Sequence, residues 1–350
     1  LVPVRAELAS WALFEADPVL AKRARARLAA LGEWCRSRVG KGSGAVAIRG
    51  PISPEEERSL SAVLADSSFL SQSVALAFDE PEARALAVAP GGAWVGRLPS
   101  SQRHRLFRVS FETMDGHHRD LLLALRGDVT EPAVEETMLW MIALGDRPGA
   151  DGLVPRFGCA RADLGALSTA YLSGLSLWER VRAWAGDVGE VRTPEAWRSL
   201  FVRGLAAFFS AWRASDGRIL PGNVVPTNVA VPRADYLADA RVLSLAGWKP
   251  YEGPLSLVEP MHRHFLAQTV GHYPALRGRL EAAWIWDAAV EGLGLEPARS
   301  FLDEVLSGPG EPPGGRGALV AFREALDATY YEPLALRGAV ARCREAGKRH

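Results

Sequence analysis

The stretch Phe107-Arg-Val-Ser-Phe-Glu-Thr-Met-Asp-Gly-His-His-Arg-Asp-Leu-Leu-Leu-Ala-Leu-Arg126 decides the fold class. Phe107, Val109 and Phe111 alternate with Arg108, Ser110 and Glu112, the period of a strand with one buried face. Asp115-Gly116 is a turn pair, because both residues tolerate the backbone that a tight reversal needs. The run from Asp120 to Arg126 then reads as a buried return strand. A hairpin here makes the protein a mixed helix-and-strand chain.

Working outward, a helix is expected from about 131 to 144, with Thr130 as its cap. Two more strands fit 155–161 and 166–173, joined by Ala162-Asp-Leu-Gly165. Upstream, residues 1 to about 90 read as helical. Ala6–Phe14 and Val19–Cys35 carry apolar residues at helical spacing, Val46–Pro51 breaks the pattern, and Ser53 caps a helix that begins at Pro54. Gly91-Gly92 closes that region. Downstream, Ser176-Leu-Trp-Glu179 is a capping box. Thr193-Pro194 starts a helix to about Ser215, with Trp197, Phe201, Leu205, Phe208 and Trp212 on one stripe. Short strands at 228–231 and 241–245 follow, then helices at about 259–272, 276–292, 296–307 and 317–346.

Composition sets limits. With 350 residues, 48% of them hydrophobic and 23% charged, the chain is ordinary globular material long enough for a sizeable core. Lys+Arg and Asp+Glu are 41 each, so no net field draws it to nucleic acid or an anionic membrane. The three cysteines, Cys35, Cys159 and Cys343, are isolated, which excludes a disulfide framework or a Cys-x-x-Cys zinc site. No apolar run has the length of a membrane span. Without a signal peptide the expected location is the cytoplasm. The lack of an initiator Met points to a piece of a longer chain, and the Arg and Ala bias to a GC-rich, bacterial-like genome. Hydrolase elbows, HExxH sites, Walker loops and dinucleotide fingerprints are all missing. His262-Arg-His264 would place its imidazoles on different helix faces, so surface histidines are the simpler account. Most of the 11 tryptophans fall at apolar helical positions and are expected in the core.

The order of elements is the informative signal: a strand hairpin, a helix, two strands, a linker, two helices, a loop, a short strand pair, then helices. It resembles the protein-kinase-like fold, including its aminoglycoside-phosphotransferase branch, over residues 93 to about 300. The resemblance implies an α+β architecture of two lobes. Residues 1–92 would be a helical N-terminal extension, 93–173 a small antiparallel-sheet lobe, and 174–350 a larger helical lobe.

Family positions carry over residue by residue. The Val-Ala-Ile-Lys run of the third strand matches Leu123-Ala-Leu-Arg126, and Glu135 or Glu136 stands where a helix Glu would pair with that cation. The catalytic loop of the small-molecule branch, His-Gly-Asp-Leu-His-Pro-Gly-Asn-Val-Leu-Val, matches in two registers. Pro221–Val231 puts Asn223 at the catalytic Asp and Asn228 at the metal-binding Asn. The alternative, Asp216–Val225, puts Arg218 and Asn223 there instead. The first is preferred because Asn228 then leads directly into a strand. The Asp of Asp-Phe-Gly falls on Ser244, and the glycine-rich loop on Trp94–Arg103, which has the single glycine Gly96 and a Pro99.

Phosphoryl transfer needs magnesium on hard oxygen ligands and a carboxylate to orient the acceptor. Both carboxylates are absent, and an arginine fork replaces a compact ammonium. The resemblance therefore implies a pseudokinase: a binding or regulatory module with a protein partner or a fused enzyme domain. Weak ATP binding through Arg126, Glu135 or Glu136, Asn228 and Ser244 is the residual activity expected, without magnesium or any other bound metal. Two alternatives stand beside it. One is an active transferase of the same fold moving phosphoryl or nucleotidyl groups; the other is a helical scaffold with no true sheet.

Overall fold

A computed structural model describes residues 18–19, 22, 25–26, 47–78, 88–98, 104–113, 116–126, 154–161, 164–172, 174–186, 192–231, 240–243 and 249–307. The chain divides into two compact units, Leu1–Ser173 with Leu243–Pro250, and Gly174–Val242 with Tyr251–His350.

The first unit is built on a six-stranded sheet. Its strands are β1 (Ile48–Arg49), β2 (Val88–Leu98), β3 (His104–Thr113), β4 (His118–Arg126), β5 (Phe157–Arg161) and β6 (Ala166–Ala170), in the order β1-β2-β3-β4-β6-β5. All neighbours are antiparallel except β1 and β2. Phe107 lies opposite Leu123 and Val109 opposite Leu121, so alternate residues of three strands share one face. Helices α1 (Pro54–Leu64) and α2 (Ser67–Phe78) cover that face with Leu60, Val63, Leu64, Phe69, Leu70 and Val74. Each such fully buried side chain contributes about 1.5–3 kcal/mol. On the other face, Leu122, Ala124 and Leu167 form a second small cluster with Leu98, Leu106 and Tyr171. The unbroken apolar run of β4 follows from burial of both its faces. This sheet removes the helical-scaffold alternative and makes the protein mixed α+β.

The helices of this unit begin where their chemistry dictates. At α1 the Ser53 hydroxyl accepts from the Glu56 amide, while the Glu56 carboxylate accepts from the Ser53 amide at 3.1 Å. At α2 the Asp66 carboxylate accepts from the Phe69 amide. Polar residues key α2 to the sheet. The buried hydroxyls of Ser73 and Ser168 meet at 2.6 Å, and a Cβ at Gly158 would stand 2.5 Å from Ser168 Oγ.

Two expectations here need correction. Gly91-Gly92 does not close a helical region; it lies inside β2, where the register with β3 shifts between Val88 and Ala93. A bulge carries no side-chain alternation, and so leaves no period to read. The break at Val46–Pro51 contains β1, whose two residues are too few to show a period.

The second unit is mainly helical. Its small sheet has the order β10-β9-β7, from Arg241–Val242, Val229–Val231 and Leu175–Ser176. Ser176 and Glu179 cap α3 (Leu177–Gly186) as a capping box, and Thr193 caps α4 (Pro194–Ala214). Trp197, Phe201, Leu205 and Phe208 are fully buried along α4. They meet an aromatic network in which Phe201 packs on Trp284 and Phe208 on Phe265. The helix α7 (Trp284–Leu293) crosses α4 at Gly292, where a Cβ would stand 2.6 Å from the Ala206 carbonyl. The rest comprises α5 (Leu255–Pro260), a π-helical turn (Met261–Ala267), α6 (Gln268–His272) and α8 (Leu295–Ser307). Pro260 lacks an amide for the α ladder, and the widened turn begins directly after it. The helix expected at 276–292 is shorter. Gly278 takes φ +74°, and α7 starts only at Trp284. The helices expected at 131–144 and 317–346 lie outside the described residues. Among the described residues, no helix is long and apolar enough to cross a membrane.

Candidate functional site

The loop with the most site-like construction joins β8 (Ile219–Leu220) to β9 in the second unit. Its entry is set by Ser215, which is buried at the end of α4. The Ser215 hydroxyl accepts from the Ile219 amide at 3.1 Å and has two carbonyls within reach for its single proton, Trp212 at 2.7 Å and Ile219 at 3.0 Å. Asp216 (φ +56°) and Gly217 (φ +71°) then reverse the chain in the left-handed region. Gly and Asp are suited to that conformation. Beyond β8, Val224 and Pro226 are buried and anchor the loop, while Asn223 and Thr227 are exposed. The segment Pro226–Asn228 is one 3-10 turn, entered through a bond from the Asn228 amide to the Val225 carbonyl at 2.9 Å.

The loop is closed by amides. Asn228 Nδ2 donates to the Asn223 carbonyl oxygen at 2.8 Å. No residue from Pro221 to Asn228 titrates. The loop therefore holds neither a proton acceptor for general-base catalysis nor an anionic ligand for a hard cation. Among the described residues, no group of three or more His, Cys, Asp or Glu is placed to hold a metal ion.

The other expected residues fall as follows. Arg126 ends β4 in the first unit, opposite His104. Arg218 precedes β8, and its carbonyl accepts from the Tyr251 amide at 2.8 Å. Glu135, Glu136 and Ser244 lie outside the described residues. Gly96 sits within β2 beneath the indole of Trp94, where a Cβ would stand 2.7 Å from Cζ3. His262 is half-buried, and desolvation holds its pKa below the ordinary value. His264 bonds Gln268 within its own helix at 3.2 Å.

Two arrangements carry no sequence signal. Ser215 looks like any helix-end serine until its hydroxyl is seen between the Ile219 amide and the Trp212 and Ile219 carbonyls. Arg108 donates to Asp120 at 2.6 Å and stacks over Tyr171 at 4.9 Å, a grouping visible only once three strands are in register.

No known protein family's model matches the chain, and no curated protein matches it.

Proposed function

We propose that the chain is a catalytically degenerate domain of the protein-kinase-like fold, acting as a binding or regulatory module for a protein partner or a fused enzyme domain. The observation that carries this reading is the loop Pro221–Asn228. Asn223 and Asn228 stand five residues apart, the spacing of the family's catalytic Asp and metal-binding Asn, with an uncharged amide at the first position. Asn228 leads straight into β9, which favours the register with Asn223, not Arg218, at the Asp position.

The element order of the first unit adds support: three strands in a meander, the segment 127–153, then two strands. So does the second unit, whose bulk is helical around a small sheet. On this reading ATP binds weakly and without magnesium, and Asn228 is its contact in the second unit. The module acts by occupancy and not by turnover.

Transfer of label from γ- and α-labelled ATP, to the chain itself and to small hydroxyl acceptors, tests the proposal with magnesium, manganese and no metal. The expected result is no transfer above the buffer blank. Metal-dependent γ-phosphoryl or nucleotidyl transfer that Asn223→Ala or Asn228→Ala abolishes would instead establish an active transferase of altered chemistry.

A further inference from the structure

We propose that Arg108, Asp120 and Tyr171 form a latch that fixes the chain where it leaves the sheet of the first unit on its way to β7. The β6 ladder with β4 ends at Ala170, opposite Leu121. Beyond it, Tyr171 is held twice by one pair of neighbours. Its amide donates to the Asp120 carbonyl at 2.9 Å, and its ring lies under the Arg108 guanidinium, 4.9 Å from Cζ to ring centroid. Arg108 is itself fixed by Nη2 donating to Asp120 Oδ2 at 2.6 Å. Asp120 thus grips Tyr171 directly through its main chain and indirectly through its side chain. The ion pair is separable from the apolar packing, because the Arg108 and Asp120 side chains are 41% and 31% exposed, whereas the Tyr171 ring also rests on the small cluster of Leu122, Ala124 and Leu167.

The latch is built to open. Arg108 Nε is buried with no hydrogen-bond partner, so the guanidinium fork is only half used. One partly exposed ion pair and one cation–π contact make a weak closure. Opening is therefore driven by salt or by competition for the ring or the carboxylate. With the latch open, Tyr171 is released from its place beyond the end of the β6 ladder.

Amide hydrogen exchange on the full chain tests this directly. Asp120→Asn keeps the backbone acceptor but removes the charge, and it should speed exchange at Tyr171 and Leu172 by about threefold to tenfold. Leu167, Ser168 and Thr169 should not change. Tyr171→Leu should act like Asp120→Asn, and Tyr171→Phe, which keeps the ring, like the parent. Raising salt should loosen the same two amides in the parent and leave Asp120→Asn unaffected. Unchanged exchange at Tyr171 and Leu172 in Asp120→Asn, or an equal rise throughout β6, would overturn the latch.

Discussion

The side-chain amide of Asn228 donates to the backbone carbonyl of Asn223 across 2.8 Å, and that bond closes the loop between β8 and β9. Asn223 takes part through its main chain alone. On the proposed reading, the position matched to a catalytic carboxylate thus serves a turn without using its side chain, whereas Asn228 shapes the loop.

This asymmetry gives opposite expectations for two similar substitutions. Asn228→Ala should destabilise by about 0.5–1.5 kcal/mol, the usual net worth of a hydrogen bond. Asn223→Ala should stay within about 0.5 kcal/mol of the parent, as exposed substitutions do. Urea denaturation of both variants decides; equal losses would mean that the Asn223 side chain is also engaged.

The serine seam between α2 and the sheet should be costly to break. Ser168 Oγ meets Ser73 at 2.6 Å, accepts from the Cys159 amide at 2.8 Å and lies 3.0 Å from the Cys159 carbonyl. Ser168→Ala leaves buried polar groups unpaired and should cost about 1–3 kcal/mol. The Ser73→Ala, Ser168→Ala double variant should lose less than the sum of the singles, because they share one bond. Strict additivity would show the two hydroxyls to be uncoupled.

Gly292 and Gly158 are expected to be intolerant for different reasons. At Gly292 a methyl group meets the fixed Ala206 carbonyl and Phe209 Cβ, both at 2.6 Å, so Gly292→Ala should cost at least about 1–3 kcal/mol. At Gly158 the nearest atom is the Ser168 hydroxyl, so Ser168→Ala should partly relieve Gly158→Ala. Chemical denaturation of the two alanine variants, alone and with Ser168→Ala, checks this; no relief would place the clash elsewhere.

Acid stability carries the mark of Glu56. Hydrogen bonds from the Ser53 backbone, outweighing desolvation, together with Arg97 at 3.1 Å, hold its pKa below the ordinary 4.5. Between the lowered folded value and 4.5 the unfolded chain binds more protons, so stability rises with pH through that window. The contribution is complete above the unfolded value and disappears as pH falls through the folded one. Glu56→Gln should flatten this part of the pH–stability curve, and an unchanged slope in the variant would assign the acid sensitivity to other groups.

Much of the first unit was legible because its strands keep a strict period. Phe107, Val109 and Phe111 alternate with polar residues and all three are buried, and Ser53, Ser176 and Thr193 announce their helices by local capping chemistry. What stayed hidden depends on register or on distant packing. The bulge at Gly91-Gly92 erases alternation, and β1 is too short to have any. Ser73 meets Ser168 across 95 positions of chain, and nothing near either residue hints at the other. At the candidate site, the Asn223–Asn228 spacing could be read directly. The bond that closes it could not, because an asparagine in a Pro/Gly-rich loop fits many turns equally well.

On the reading proposed above, the loop from Pro221 to Asn228, which holds no carboxylate, belongs to a module that does not use magnesium ATP. A thermal-shift titration with ATP, run in parallel with excess magnesium and with a chelator, tests it most directly. The expected result is the same small rise in melting temperature in both arms, with no release of phosphate over the titration. A large rise that requires magnesium, accompanied by ADP formation, would contradict it.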